Sequence, residues 1–414
     1  MVIILKLGFT LLLILTLLFR RVNLGHTMLI GATSIYLLNN PSNTMLITAV
    51  RNTIWSSDTW VIILAMFFVM CLEYQFRTNG ILTKFMDSLN STLKSDRILL
   101  PLMPALLGLL PSIGGAVFSA PLVESTSSRF KLSGEHKTAI NYWFRHVWEF
   151  INPIGPSLLF ASSIAGIQLS VLISNQLWIT LLALIIGWFV LVSGNRFKKT
   201  QLNTLSTALS GVEQPIKDDS DTLKNILLAI GPILTNIILI TVFDINAAVS
   251  ITMVVFLMGI VLKQDFKDIV KMLVNALNFK LHWSIFSILF FQQMLLATGI
   301  TAEIVTLFKL SGLTVPVIVS LTAFLIGLLT GVAQGMIAIV FPIVAAMAPG
   351  ELSIITLSLV AGTAGQMLSP AHLCLVVTAD YFKANLVRSL VRILIMETLM
   401  FACVYLVFSI FRFV

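Results

Sequence analysis

The sequence predicts an all-α polytopic membrane protein built from two inverted repeats of five transmembrane helices, each with a re-entrant hairpin and a broken helix. The first supporting observation is composition, because 57% of the 414 residues are hydrophobic and only 11% are charged. The second is that proline and glycine clusters interrupt several apolar runs. The third is that these interruptions recur in the two halves at nearly the same spacing.

Ten apolar runs bounded by polar residues have the length expected of membrane crossings. They lie near 2–19, 23–39, 59–76, 147–169, 177–194, 223–242, 246–262, 283–299, 352–378 and 391–411. They divide the chain into a first repeat, 1–194, a linker, 195–222, and a second repeat, 223–414. Further stretches mix apolar and charged residues at helical spacing and are expected to lie along the membrane interface: 80–95, 263–281 and 380–390.

The first interrupted run extends from Ile98 to Val123 and has the break Leu-Pro-Ser-Ile-Gly-Gly at its middle. Pro111 prevents a continuous helix, and the paired glycines let the chain reverse. We therefore predict a re-entrant hairpin near 98–126. Its arms of about 12 residues would be roughly 18 Å long, so each reaches about halfway through a bilayer core of roughly 30 Å. Backbone that turns at this depth has to be satisfied by protein or by a water-filled cavity.

The same pattern returns in the second half, where Thr330 to Gly335 interrupts an apolar run and predicts a second hairpin near 315–349. The sequence numbers of Gly335 and Gly115 differ by 220 (335 − 115), and those of Pro370 and Pro153 differ by 217 (370 − 153). The prolines mark the breaks of two helices, near 147–169 and 352–378. Paired interruptions in corresponding halves indicate the binding site of a secondary transporter near the bilayer midplane.

Loop charges predict the orientation of these segments. In the predicted threading, 22 of the 26 lysines and arginines lie on one side, the exceptions being Lys6, Arg51, Lys309 and Arg412. The positive-inside rule makes that side cytoplasmic. The linker is then cytoplasmic, the hairpins enter from opposite sides and the repeats are inverted. We expect a multi-pass protein of the plasma or inner membrane of a prokaryote.

Other classes of protein lack support in the sequence. The net charge of +8 is explained by loops that face an anionic membrane surface, so nucleic acid is not expected as a partner. Cys71, Cys374 and Cys403 lie in apolar segments without paired spacing, so neither a disulfide framework nor a cysteine-based metal site is predicted. A Walker-type phosphate loop is absent, which argues against ATP-driven pumping within this chain. No cofactor is expected beyond H⁺ or Na⁺ as the coupling ion.

Two motifs resemble those of a known family. They are the hairpin sequence Pro-Ser-Ile-Gly-Gly-Ala-Val-Phe-Ser-Ala-Pro at 111–121 and the sequence Asn-Tyr-Trp-Phe-Arg-His-Val-Trp-Glu-Phe at 141–150. The chain resembles an uncharacterised integral-membrane family, a domain of unknown function, of the ion transporter superfamily, which includes gluconate, citrate, dicarboxylate and arsenite permeases. The resemblance implies inverted repeats, hairpin tips that meet broken helices, and commonly a homodimer with an elevator-like movement. It does not identify the substrate.

Polar residues at the hairpin tips and helix breaks are the predicted substrate site. Helix N-termini there would present free N–H groups and partial positive charge, which suit an anion. Tight packing at small residues is the alternative explanation for the glycines. The predicted substrate-binding residues are Ser112, Gly114, Gly115, Asn152, Pro153, Ser157, Gln334, Gly335, Ser369, Pro370 and His372.

Ion coupling is predicted at ionisable and hydroxyl groups beside the breaks. His146 and Glu149 stand three residues apart on one helix face, and ionisable groups inside a membrane usually face a cavity or one another. A carboxylate at this position would take up and release a proton as its surroundings alternate, although a salt bridge at the helix end is the alternative. Glu73 and Glu397 lie within helix runs away from the breaks, and we expect them to form helix–helix hydrogen bonds or to lie near the membrane interface. The predicted coupling residues are Glu149, His146, Thr330, Thr363 and Gln366.

These observations predict a secondary active transporter that is not an enzyme. Its expected cargo is a small, anionic organic metabolite driven by H⁺ or Na⁺, and its expected partners are the bilayer and a second copy of the chain. The alternative is a membrane-embedded enzyme such as a lipid-phosphate hydrolase, which would need a clustered nucleophile or metal with acid, base and cation. A channel ranks third, since we find no repeated polar face to line a pore.

Overall fold

The computed structural model describes residues 2–20, 22–92, 95–109, 115–128, 130–194, 197 and 219–411. The regular elements of these residues are all helices. Those of the first half are α1 Val2–Phe19, α2 Leu24–Leu38, α3 Asn43–Trp55, α4 Ser57–Thr78, α5 Ile81–Thr92, α6 Asp96–Leu109, α7 Gly115–Ser127, α8 Gly134–His146, α9 Pro156–Ala165 and α10 Leu169–Gly187, which continues as the π-helical turn Trp188–Val192.

The second half repeats this order. Its helices are α11 Asp219–Thr241, α12 Ala247–Val261, α13 Phe266–Ala276, α14 Phe279–Ala297, α15 Ile300–Leu310, α16 Val315–Thr330, α17 Ala333–Met347, α18 Leu352–Leu368, α19 Leu373–Tyr381 and α20 Leu386–Phe411. The starts of counterpart helices are offset by nearly constant amounts, as for α11 and α1 (219 − 2 = 217) and for α12 and α2 (247 − 24 = 223). The internal repetition therefore extends over every helix that the structure describes.

Matching capping residues begin the second helix of each half. The Asn23 side chain accepts a hydrogen bond from the Gly25 N–H at 2.9 Å, and the Asn246 side chain accepts one from the Ala248 N–H at 2.9 Å. Asparagine is favoured at this position because its oxygen satisfies an N–H group that has no partner within the helix. The two halves thus share an asparagine helix cap as well as the order of their helices.

The two halves pack against each other reciprocally. Helix α2 packs against α14, and their counterparts α12 and α4 pack against each other as well. In the same way α9 contacts α17, and α19 contacts α7. Counterpart helices thus exchange contact partners between the two halves.

Several helices are long and apolar enough to cross a bilayer. They lie at Ser57–Thr78, Leu169–Val192, Asp221–Thr241, Leu352–Tyr381 and Leu386–Ile410, and the pair α13 and α14, bent by 50°, adds a further candidate. The segment at Leu352–Tyr381 is 83% buried within the protein, compared with 28% for Leu386–Ile410. The chain is thus a multi-pass membrane protein, and the interrupted helix at Leu352–Tyr381 lies in its interior. The shorter apolar helices α1, α2 and α12 coincide with predicted crossings, and their spanning stays a prediction.

The predicted hairpins and second broken helix agree with helix positions. Helices α6 and α7 pack together over 96–109 and 115–127, and α16 and α17 pack together over 315–330 and 333–347. Helices α18 and α19 flank a short interruption at Ser369–His372. Whether the hairpins re-enter the bilayer stays a prediction, and the tip at 110–114 lies outside the described residues.

The predicted boundaries of the first broken helix, 147–169, are wrong. The arm before the break is α8 at Gly134–His146, residues 147–155 are not helical, and α9 ends at Ala165. Hydropathy does not reveal α8 because its polar side chains are satisfied by tertiary contacts. The Trp143 Nε1–H donates to the Ala183 carbonyl at 2.9 Å, and the Asn141 amide donates to the Thr378 hydroxyl at 3.2 Å. Arg145, which the charge count places in a cytoplasmic loop, lies at the inner end of this helix.

Smaller differences concern amphipathic segments. Helices α3 and α15 are not predicted, while the stretches 80–95 and 263–281 contain α5 and α13. The stretch 380–390 is not one interfacial helix, because α19 ends at Tyr381 and α20 begins at Leu386. The predicted linker, 195–222, lies outside the described residues except for Phe197 and for 219–222, which begin α11.

Candidate functional site

The breaks of the two halves meet at the centre of the protein. The Nε2 atoms of His146 and His372 are 3.3 Å apart, and the Gln366 amide donates a hydrogen bond to Glu149 Oε1 at 3.1 Å. Each contact joins a residue of the first half to a residue of the second. Two segments separated by more than half the length of the chain therefore form one polar cluster.

The pair Glu149 and Gln366 occupies equivalent positions in the two halves. Their offset in sequence number, 217 (366 − 149), equals that of the break prolines Pro153 and Pro370 (370 − 153). The hydrogen bond thus joins matching positions of the two halves, and the candidate site lies where the halves meet.

Both hairpins also reach the breaks. The Trp148 Nε1–H of the first break donates to the Ala105 carbonyl of α6 at 2.8 Å. In the second half, His372 Nδ1 lies 2.8 Å from the carbonyl oxygen of Gly331, the residue that ends α16. Since a carbonyl oxygen only accepts, His372 donates from Nδ1. The site therefore combines a break and a hairpin from each half.

The second hairpin turn requires glycine at position 331. Gly331 has a φ of +62°, a left-handed conformation that is costly for other residues. A Cβ atom there would also lie 2.9 Å from Ser369 Oγ and 3.2 Å from the backbone nitrogen of His372. The turn can approach the broken helix this closely only without a side chain.

Tyr142 lies against both histidines. Its ring centroid is 4.7 Å from that of His146 and 5.4 Å from that of His372. The fully buried Tyr142 hydroxyl donates to the Met367 carbonyl at 3.2 Å, and His146 Nδ1 lies 2.7 Å from the Tyr142 carbonyl. Tyr142 thereby connects α8 to the end of α18 and restricts the position of both imidazoles.

Several polar atoms of this region are buried without a hydrogen-bond partner among the described residues. They are Arg145 Nη1, Glu149 Oε2, Gln366 Oε1 and Glu397 Oε2. Leaving such groups unpaired in a protein interior costs free energy, more for a charged group than for a neutral one. Four unpaired polar atoms in the region where the two breaks meet are consistent with a site that exchanges ligands or protons.

Glu397 lines two cavities. A small one is lined by His146, Thr363, Glu397 and neighbouring apolar side chains, and a larger one of about 510 Å³ lies among α16, α18 and α20. The lining of the larger cavity is largely apolar. The Glu397 carboxylate is thus the polar group shared by the apolar cavity and the polar cluster, and it is close enough to Glu149 to interact electrostatically.

Six predicted residues come together at this cluster: His146, Glu149, Thr363, Gln366, Ser369 and His372. Ser369 is fully buried, and its hydroxyl accepts a hydrogen bond from the Ala371 N–H at 3.3 Å. The structure thus brings these residues of the two breaks together, and their role in substrate binding or ion coupling stays a prediction.

Other predicted residues have local roles or lie apart. The Thr330 hydroxyl donates to the Ile326 carbonyl at 2.8 Å, and the Asn152 side chain accepts from the Ile154 N–H at 3.1 Å. Pro153 and Gly335 are buried, whereas Pro370 is exposed. The side chains at the second positions of α9 and α17 are half-buried, and these are Ser157 and Gln334. Gly115 begins α7, while Ser112 and Gly114 lie outside the described residues.

Sequence reasoning missed Tyr142, Arg145, Cys374 and Glu397 as members of the region. Glu397 carried a usable signal, because it is the sole acidic residue in the apolar helix α20. An ionisable residue within a membrane helix is a functional candidate by default. Tyr142 and Cys374 had no such signal, since their roles depend on contacts between distant segments.

A family model described as "Protein of unknown function (DUF401)" matches residues 2–411. The chain belongs to this family. The match begins with α1 and ends with α20, so the DUF401 region contains both halves and the site between them. No curated protein matches the chain.

Proposed function

We propose that this DUF401 protein is a secondary active transporter that moves a small organic anion across the cell membrane. One observation carries the proposal: the broken helices of two repeated halves meet face to face, and a hairpin arm from each half contacts its own break. Secondary transporters place substrate and coupling-ion sites at such an interface between repeats, where discontinuous helices end. A relation to the ion transporter superfamily and its permeases fits this arrangement.

An anionic cargo is supported by the charges around the breaks. Helices α9, α17 and α19 begin at or beside the interruptions, and each N-terminus has a partial positive charge and free N–H groups. The guanidinium of Arg145 adds a full positive charge, and its buried Nη1 has no partner among the described residues. A carboxylate would satisfy these donors with charge-assisted hydrogen bonds.

Alternating access is supported by the repeat. In this proposal the halves are inverted, the linker is cytoplasmic, and the hairpins enter the membrane from opposite sides. Reciprocal packing of α2 with α14 and of α12 with α4 then forms a scaffold, against which the hairpins and broken helices move as an elevator. A homodimer would hold that scaffold still in the membrane.

Glu149 is the proposed coupling group. Its Oε1 accepts from Gln366, while its Oε2 and the Gln366 side-chain oxygen are both buried and unpaired among the described residues. A proton on Oε2 would let the carboxyl group donate to that amide oxygen and would remove a buried charge. Proton uptake would therefore be linked to the conformation in which the cluster is closed. If Na⁺ is the coupling ion instead, the Glu149 and Gln366 side-chain oxygens and the Thr363 hydroxyl would be its ligands.

The test is transport by purified protein in liposomes. Radiolabelled mono-, di- and tricarboxylates are offered while pH and Na⁺ gradients are imposed separately. Accumulation of an anion above that in protein-free liposomes, driven by one of the gradients, is expected. Hydrolysis of a lipid phosphate without any such uptake would instead favour the membrane-embedded enzyme.

A matched pair of variants tests the coupling group. Glu149→Gln should abolish proton-driven accumulation but keep exchange of labelled for unlabelled substrate, since exchange requires no proton release. Glu73→Gln, a change of the same kind at a half-buried carboxyl on α4, should retain both activities. Wild-type accumulation by Glu149→Gln would exclude Glu149 as the coupling group.

A further inference from the structure

Three metal-ligating atoms converge beside the cluster. A ring nitrogen of His146, a ring nitrogen of His372 and the Sγ atom of Cys374 all lie within 4.8 Å of one another. One comes from the end of α8, and the other two come from the second break and the first turn of α19. The set is thus contributed by both halves of the protein.

The hydrogen bonds of the histidines leave both Nε2 atoms free to bind a cation. His146 Nδ1 lies 2.7 Å from the Tyr142 carbonyl oxygen, and His372 Nδ1 lies 2.8 Å from the Gly331 carbonyl oxygen. Because these oxygens only accept, Nδ1 has the hydrogen in each neutral ring and Nε2 has the lone pair. The two lone pairs then face each other across 3.3 Å, which is repulsive unless a cation or a proton lies between them.

The separation of the two histidine nitrogens fits a tetrahedral metal ion. With zinc–nitrogen bonds of about 2.0 to 2.1 Å and an angle of about 109°, two coordinating nitrogens are about 3.3 Å apart. The observed Nε2 separation is 3.3 Å. Metal-binding histidines also usually donate the other ring N–H to a carbonyl or carboxylate, which both histidines do here.

We propose that His146, His372 and Cys374 form a binding site for a transition metal ion of the zinc class. Two imidazoles and a thiolate are ligands that Zn²⁺ prefers, and three protein ligands leave one tetrahedral position open for water or a substrate atom. Cys374 loses its S–H proton to solvent as the sulfur–metal bond forms, and the metal keeps its oxidation state.

Three ionisable groups lie near the proposed ligands. Arg145 adds positive charge beside Cys374, whereas the carboxyl groups of the half-buried Glu149 and the buried Glu397 supply negative charge when they are ionised. The site joins α8 of the first half to the second break, so a bound metal would connect the halves in this conformation. The proposal does not depend on anion transport, because a metal can bind whether or not the protein carries an anion.

The test uses Co²⁺ as a spectroscopic probe of the full chain, purified in detergent and stripped with a chelator. We expect one Co²⁺ per chain, visible bands of a tetrahedral complex and a near-ultraviolet band from thiolate-to-metal charge transfer, all removed when Zn²⁺ displaces Co²⁺. Zn²⁺ should also raise the midpoint of thermal unfolding, because it binds the folded state. Wild-type protein without the charge-transfer band would overturn the proposal.

Cysteine variants locate the ligand. Cys374→Ser should lose the near-ultraviolet band and bind Zn²⁺ more than about 10-fold more weakly, since even outer-shell changes cost about 10- to 100-fold. Cys71→Ser and Cys403→Ser are matched controls at a buried and an exposed thiol and should behave as wild type. If Cys374→Ser does not fold, X-ray absorption of the Zn²⁺-loaded wild type decides: two nitrogen neighbours and one sulfur support the site, and a shell without sulfur refutes it.

Discussion

Replacing Gly108 with alanine tests how closely the first hairpin packs against the first broken helix. Gly108 lies in α6, and a Cβ atom added to it would lie 2.8 Å from the carbonyl carbon of Arg145 and 3.0 Å from its Cα, with the carbonyl oxygen closer still. Arg145 directly precedes His146. The methyl group would therefore press on the backbone that positions the histidine cluster.

The structure gives the size of the effect. Non-bonded carbon atoms prefer separations of about 3.5 Å or more, so α6 and α8 would have to move apart by at least about 0.7 Å. No rotamer change relieves the clash, because both partners are main-chain atoms. Overpacking of a buried contact costs about 1 to 3 kcal/mol, and we expect the upper end, about 3 kcal/mol, for Gly108→Ala.

The assay is thermal stability in detergent, measured as the fraction of monodisperse protein left after heating, together with uptake of the identified substrate. Gly108→Ala should lower the midpoint by about 3 to 4 °C and reduce transport. Gly327→Ala should behave alike, because its Cβ would lie 3.1 Å from the Gly362 carbonyl carbon in the corresponding pair α16 and α18.

Two other glycines are controls for the chemical change itself. A Cβ atom at Gly335 would meet its nearest neighbour at an ordinary 3.6 Å, and one at Gly231 would meet nothing within 4 Å. Alanine at Gly231 should leave stability unchanged or raise it by up to about 1 kcal/mol through helix propensity. Wild-type stability and transport in Gly108→Ala would refute the close backbone approach of α6 to α8.

The remaining predictions concern the membrane topology, the Tyr142 side chain beside the two histidines, and the helix caps. Lys131→Cys and Glu351→Cys, each in a chain without the native cysteines, should react with impermeant reagents from the cytoplasmic and external sides respectively; reaction of both from one side would exclude inverted repeats. Tyr142→Phe removes a buried hydrogen bond to the Met367 carbonyl and should lower the free energy of unfolding, measured by chemical denaturation, by about 1 kcal/mol. An unchanged denaturation midpoint would show that this hydrogen bond does not stabilise the protein. Asn23→Ala and Asn246→Ala each remove a cap worth about 1 kcal/mol and should lower thermal stability by similar amounts, whereas Asn52→Ala, at an exposed position in α3, should have little effect.

Much of the helix order follows from patterns that a sequence displays directly. Apolar runs predicted helices such as α4, α11 and α20, and the Pro/Gly breaks predicted the arms of both hairpins within a few residues. These predictions succeed because a segment surrounded by lipid needs an apolar exterior and internal hydrogen bonds for its backbone, and a helix provides both. Short helices such as α3 and α15 escaped prediction because their mixed composition resembles that of loops.

The candidate site was predicted only in part, for a physical reason. A hydropathy pattern reports what faces lipid, whereas α8 faces other helices, and its polar side chains are satisfied by partners such as Ala183 and Thr378. The same pattern placed Arg145 in a loop. The approach of Cys374 to His146 depends on a contact between segments separated by more than half the chain, for which no local spacing exists.

The pair Glu149 and Gln366 shows how the two halves differ chemically where they meet. An exact duplication would place a second glutamate at position 366, with its carboxylate about 3 Å from that of Glu149. Two carboxylates at that distance cannot both be ionised, and they would share a proton. Gln366 instead donates an N–H to Glu149 Oε1, so this contact contains a single carboxyl group. If Glu149 is the proposed coupling group, the contact therefore allows it to take up and release a proton without competition from a second carboxyl group.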